Sequence, residues 1–349
     1  MSDHENAIPQ RNSRVAIENV TPEIDVGRFA LKRVAGEGVV VEADIFADGH
    51  DELSAVLKFR TEKGPAWREI GMTFMVNDRW RGEFAVSEPG IYLYTVEAWV
   101  DYFRSWRRDL KKRLDAGQDV SVDLLAGAAL AEAAAKRADG ADVGLLLNWS
   151  ATLRGEKNVA VGRALDAQMA GVMARYPDRR LATVYGRDLR VTVDPPLARF
   201  SAWYELFPRS LGPGDRHGTF RDCEAALPRI AEMGFDILYL PPIHPIGKSF
   251  RKGRNNNPKC LPVEPGSPWA IGSSEGGHKS IHPELGSLDD FRHLIEKARG
   301  RKIEIAMDIA FQCAPDHPYI QEHPEWFRKR PDGSIQHAEN PPKKYEDIV

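Results

Sequence analysis

Long apolar runs are missing from this sequence of 349 residues: no stretch of about 18 hydrophobic residues is available to span a bilayer. Sulfur is scarce as well. Cys223, Cys260 and Cys313 lie far apart, with no CxxC pair and no even-numbered framework, which excludes a disulfide-stapled secreted domain and a cysteine-held zinc. Charge of one sign is also lacking. Lys and Arg number 48 against 51 Asp and Glu, a net charge of −3, so nothing asks for nucleic acid or an acidic membrane surface. The first 14 residues are polar with no apolar run behind them, so no signal peptide is expected. These absences predict a cytoplasmic protein with reduced thiols. A hydrophobic fraction of 42% and a charged fraction of 28% then supply the cores of about two or three domains.

What is present falls into zones. Residues 1–13 read as a disordered leader. Residues 14–100 carry short strand patterns, such as 39–45, 55–59 and 90–96, separated by Asp48-Gly49 and Pro89-Gly90. Their spacing predicts an antiparallel β-sandwich. The tryptophans around Trp80 and between Trp99 and Trp106 suit core packing better than a carbohydrate-binding face. Residues 101–183 turn helical. The run 124–136 has a strong helix former everywhere but Gly127, and 158–176 spaces Val161, Leu165, Met169, Val172 and Met173 as one stripe. Residues 184–198 return to alternation at Arg190–Val193, so the helical zone is expected to be an insertion in the β domain.

From residue 199 the pattern is strand, helix, strand, helix, strand. Thr219 with Asp222 and Ser287 with Asp290 offer capping boxes for the two helices. That order predicts parallel strands with right-handed crossovers, the start of a (β/α) barrel. Functional groups in such a barrel lie at the carboxyl-terminal strand ends. There the long loop 244–281 gathers Lys248, Arg251, Lys252 and Arg254, which suits either a solvated basic loop or an anion site. Its glycines, through Gly276 and Gly277, open no helix, so no nucleotide fingerprint is read. Asp308 fits an ion-paired structural role or a catalytic carboxylate. Asp316, His317 and His323 lack helical metal-ligand spacing, so no metal is expected.

Motifs in this part carry a resemblance. Residues 203–210 (WYELFPRS), 239–247 (YLPPIHPIG), 276–286 (GGHKSIHPELG) and 339–345 (ENPPKKY) resemble the α-1,4-glucan:maltose-1-phosphate maltosyltransferases, a branch of the α-amylase superfamily. The resemblance covers essentially the whole chain. It implies a β-sandwich with a helical insertion, then a (β/α)8 TIM barrel of which 199–349 is the first, truncated part, with a barrel insertion starting at 314–349. It implies transfer of maltosyl units from α-maltose 1-phosphate to α-1,4-glucans by retaining double displacement, without a cofactor. A homodimer formed through the N-terminal domains is also implied.

Carried over position by position, Lys252, Gln312 and Asp347 match donor-binding positions. Asn340, Lys343 and Tyr345 match the loop around the phosphate, and His244 is similar to a sugar-contacting position. The nucleophile and acid/base of the family are expected beyond Val349, so no catalytic residue is assigned, and turnover by these residues alone is not expected. Two other readings stand beside this one: a non-catalytic glucan-binding or dimerisation fragment, and a glycoside hydrolase of the same superfamily.

Overall fold

The computed structural model describes residues 13–338 and 345–349. It is a mixed α and β chain with several sheets, and it divides into two compact units, the first ending at Ala198 and the second spanning Arg199–Val349. Among the described residues no helix is long and apolar enough to cross a membrane.

The first unit opens with β1 (Val15–Thr21), β2 (Leu31–Val34), β3 (Gly38–Ala47), β4 (Leu53–Thr61), β5 (Arg68–Gly71), β6 (Thr73–Phe74), β7 (Arg79–Ala85) and β8 (Gly90–Val100). Helices α1 (Tyr102–Asp115), α2 (Ser121–Ala135), α3 (Gly140–Leu153), α4 (Lys157–Ala164) and α5 (Ala167–Arg175) follow, and then β9 (Thr183–Val184) and β10 (Leu189–Asp194). One sheet runs β1-β3-β7-β6 and the other β2-β10-β8-β4-β5, with β9 on β8. Alternate residues of β3 and β7 point inward, Val39, Val41, Ala43 and Ile45 among them, and meet Leu57, Phe59 and Tyr94 from the second sheet in one core. Phe59 and Phe84 stack there, with ring centroids 4.5 Å apart. The pairing is antiparallel except at one edge, where β10 runs parallel to β2.

β8 is buried almost continuously past Thr95, because its outer face is covered too. Glu97 meets Lys58 at 2.8 Å, and Arg179 lies over the Trp99 ring at 4.2 Å.

The helices have a core of their own, built from Leu110, Leu124, Ala128, Leu146, Trp149 and Met169. Gly127, the one weak helix former from Leu124 to the end of α2, is there for a reason of space: a Cβ would sit 2.1 Å from Trp106. The 158–176 stripe divides into two helices. Leu165 closes α4, and the Asp166 side chain accepts the Gln168 N–H at 2.7 Å to start α5.

The second unit holds β11 (Trp203–Glu205), α6 (Phe220–Glu232), β12 (Ile237–Leu240), α7 (Leu288–Arg299), β13 (Glu304–Met307) and α8 (Tyr319–Glu322). β11, β12 and β13 pair in parallel in that order. Both capping boxes form: Thr219 accepts from the Asp222 amide while Asp222 accepts from Thr219, and Ser287 and Asp290 do the same. Phe220, Leu227, Ile230 and Leu294 from the helices bury Leu238 and Leu240.

Candidate functional site

Three segments meet beyond the carboxyl-terminal ends of β12 and β13. The first, 241–247, leaves β12 and is buried throughout. The second leaves β13 and reaches Ala314. The third is 345–349, whose Val349 donates to the Cys313 carbonyl at 2.8 Å and accepts the Cys313 N–H at 3.4 Å. Ile246, Ala270 and Ala314 form a small buried cluster that Ile348 packs against. Gly247 is required at this crossing, since a Cβ would lie 2.2 Å from that of Ala314.

On this frame sit Lys252, Tyr345 and Asp347. Lys252 Nζ is 3.4 Å from Asp347 Oδ1 and 4.2 Å from the centre of the Tyr345 ring. Asp347 is 1% exposed, yet neither carboxylate oxygen accepts a hydrogen bond among the described residues. The lysine therefore supplies Coulomb attraction without a hydrogen bond, and both oxygens keep their accepting capacity. A buried carboxylate short of donors is costly unless something else supplies them. Such a donor has to come from outside the described residues.

The remaining sequence candidates divide. Gln312 is exposed on the segment that leaves β13. Asn340 and Lys343 lie outside the described residues. His244 is buried; its Nδ1–H donates to the Ser280 carbonyl at 2.8 Å, which leaves Nε2 as an acceptor. Burial first, and the neighbouring His278 second, pull its pKa below the usual histidine value, against the pull of the Ser280 carbonyl.

The basic loop is less available than its composition suggests. Arg251 donates to the carbonyls of Gly247, Glu264 and Ile246, so it braces the loop. Asp316 accepts from the Lys248 and Ser249 amides and the Ser249 hydroxyl, each at 2.6 Å. Burial pushes the Asp316 carboxyl up, but those bonds outweigh it and hold it below its ordinary value. Lys248 and Arg254 are exposed.

A chain of histidines that sequence reasoning missed fixes the exit from β13. The Tyr319 amide donates to His317 Nδ1 at 3.0 Å, so the neutral ring carries its proton on Nε2. His317 Nε2 lies 3.0 Å from His278 Nδ1, and His278 Nε2 lies 2.7 Å from the Ala310 carbonyl. One assignment satisfies every atom, with each ring neutral and donating onward. Gly272, at φ 112, and Gly277 make room: a Cβ on either would fall 2.3 Å or 2.1 Å from the His317 ring. Burial first, then His278 and His244, lower the His317 pKa to about 4. Both nitrogens of His317 and both oxygens of Asp316 are thus engaged. Asp308 accepts from Trp269 Nε1 at 2.7 Å, and burial followed by its bond with Asp308 raises the Tyr239 phenol.

His217, His282 and Glu284 place one potential ligand atom each within 4.8 Å of one another, another grouping without a sequence signal. The His282 Nδ1 lone pair already accepts the Glu284 amide at 3.2 Å, and His217 stacks on the His282 ring.

Comparison with known proteins adds to this geometry. Residues 13–195, just over half of the chain, match the family model for α-1,4-glucan:maltose-1-phosphate maltosyltransferase, domain N/S. The protein of that name from Chlorobaculum tepidum is 52% identical over 339 residues, covering 96% of this chain and 50% of its own length. The one from Myxococcus xanthus is 52% identical over 350 residues, 97% of this chain and 53% of its own. The chain thus spans about half the length of the curated relatives it matches. Among solved structures, an α-amylase from Lactobacillus plantarum matches at 34% identity over 39% of this chain and 30% of that one, with a TM-score of 0.31. A noncanonic maltogenic α-amylase from Thermotoga neapolitana matches at 31% identity over 43% and 31%, with a TM-score of 0.33.

Proposed function

The chain belongs to the α-1,4-glucan:maltose-1-phosphate maltosyltransferase family, and from that premise we propose that residues 199–349 hold the donor-gripping part of a maltose 1-phosphate site at the start of a (β/α)8 barrel. The barrel reading is supported by three parallel strands joined through α6 and α7. Residues 14–100 and 184–198 are the β-sandwich, with 101–183 as its helical insertion. The reading extends to a cytoplasmic homodimer formed through these N-terminal domains.

The observation that carries the proposal is Asp347: buried, without a hydrogen-bond donor, and 3.4 Å from a lysine. In this role its oxygens accept sugar hydroxyls, with Gln312 binding others. Lys252 places its charge near the phosphate, which Asn340, Lys343 and Tyr345 surround. His244 Nε2 is one further acceptor for a sugar hydroxyl.

The reaction is a double displacement. A carboxylate attacks the anomeric carbon as its bond to the phosphate oxygen breaks, and phosphate departs with the electron pair. The 4-hydroxyl at the non-reducing end of an α-1,4-glucan then displaces the carboxylate and gives up its proton to the acid/base. Two inversions give retention. Such a pair of carboxyl groups stands about 5 Å apart. Asp308 is held by Trp269 and Asp347 belongs to donor binding, so neither is assigned as nucleophile.

The test is calorimetric titration of α-maltose 1-phosphate, with maltose as the uncharged control. The donor should bind more tightly than maltose, and Asp347→Asn should weaken it. No binding of the donor, or binding untouched by Asp347→Asn, would overturn the site.

A further inference from the structure

Helix α1 carries Arg104, Arg107, Arg108 and Lys111 at i, i+3, i+4 and i+7, which places them along one face. With Glu52 and Leu165 these four cations line a recess of about 440 Å³. Glu52 is its one lining carboxylate. Its Oε1 accepts from Arg108 at 3.0 Å, and its Oε2 lies 3.6 Å from Arg104. Arg108 also donates to Asp109 and the His50 carbonyl, and Arg104 to the Leu53 carbonyl and the Ser54 hydroxyl. Those two cations are well supplied.

Arg107 and Lys111, one turn apart, are not. Arg107 uses Nη2 on the Leu165 carbonyl, while its Nε is buried with no acceptor among the described residues. Lys111 is exposed and has no ion-pair partner among the described residues. Like charges at these spacings oppose one another and the helix. A merely solvated basic face would account for the stripe but not for the recess it lines. An anion seated between Arg107 and Lys111 answers both. The lining offers one apolar side chain, so it has no platform for a base or an acyl chain, and its volume is that of a small-ligand site.

We propose that this recess binds a small, multiply charged anion of the phosphate class between Arg107 and Lys111, with Glu52 as an internal competitor. The inference does not rest on the donor-site reading, since every residue involved lies in the first compact unit.

Isothermal titration of the full chain with pyrophosphate tests it, at about 50 mM and about 300 mM sodium chloride. Lys111→Met should weaken binding about tenfold, and Arg107→Met at least as much. Lys111 is exposed, so its variant keeps the fold, and a thermal melt checks this. Glu52→Gln should tighten binding and high salt should weaken it; Lys252→Met removes any phosphate binding at the donor site and should leave the component sensitive to Lys111→Met in place. Inorganic phosphate and glucose 1-phosphate, titrated alongside, separate a free-phosphate site from a sugar-phosphate one. Binding indifferent to Lys111→Met, binding abolished by Lys252→Met, or no binding of any of the three probes would overturn the proposal.

Discussion

His317 supplies a stability switch whose sign and size follow from its hydrogen bonds. It is 2% exposed, and its Nδ1 lone pair faces the Tyr319 N–H. Adding a proton at Nδ1 would point two N–H groups at each other inside a dry site. Burial is the largest cause of its lowered pKa, about 4 against 6.5 for a free histidine. Between those two values the unfolded chain binds a proton that the folded chain refuses. The contribution is therefore fully present above pH 6.5 and is lost as pH falls toward 4. Lowering the pH from 7 to 5 should remove about 2 kcal/mol through this residue alone. His244 and His282, both also lowered mainly by burial, act in the same direction. The assay is urea unfolding at the two pH values for the native chain and for His317→Gln, with an NMR titration of the imidazole alongside. The variant should lose less stability than the native chain on acidification. A His317 titrating at or above 6.5, or the same pH slope in both proteins, would refute the reasoning.

Thiol reactivity should follow exposure. Burial pushes Cys223 up to about 12 and Cys313 up to about 11, whereas Cys260 is only partly buried. Iodoacetamide labelling followed by mass spectrometry should modify Cys260 first, and rapid labelling of Cys223 would contradict the packing of α6. Thr219→Ala removes the capping box of α6 and should cost about 1 kcal/mol in urea unfolding, with no measurable loss counting against the cap. Gly272→Ala sets a methyl against the His317 ring at a positive φ, and should cost more than the cap does; a neutral result would mean that the histidine chain is loosely held.

Much of this architecture was legible in the sequence because it rests on local chemistry. The two capping boxes need only residues three apart, and both form as read. Strand alternation at Val39–Ile45 marks a sheet with one face in a core, and that face is where Val39, Val41 and Ile45 lie. The division between α4 and α5 was hidden because Val161, Leu165 and Met169 keep the apolar spacing while the backbone turns at Leu165 and Asp166, so periodicity outvoted the cap. The parallel edge between β10 and β2 depends on residues more than 150 positions apart, which no local pattern encodes.

The site shows the same split. Lys252, Tyr345 and Asp347 lie together in the structure, and both that proximity and the lack of donors around Asp347 among the described residues are three-dimensional facts. Arg251 belongs to a loop that composition leaves open between a solvated face and an anion site, and it is bonded to three backbone carbonyls. The histidine chain joins residues 39 positions apart across a loop, and only glycine at 272 and 277 hints that something large fills the space.

The central claim is that Lys252 and Asp347 together grip a phosphorylated disaccharide. Calorimetric titration of α-maltose 1-phosphate into the native chain, Lys252→Met and Asp347→Asn tests it most directly, with maltose as the uncharged control. The account predicts that both variants bind the donor about tenfold more weakly or worse, and that the Lys252 variant no longer favours the phosphorylated sugar over maltose. Equal affinity for maltose and its phosphate in the native chain, or donor binding untouched by both substitutions, would contradict it.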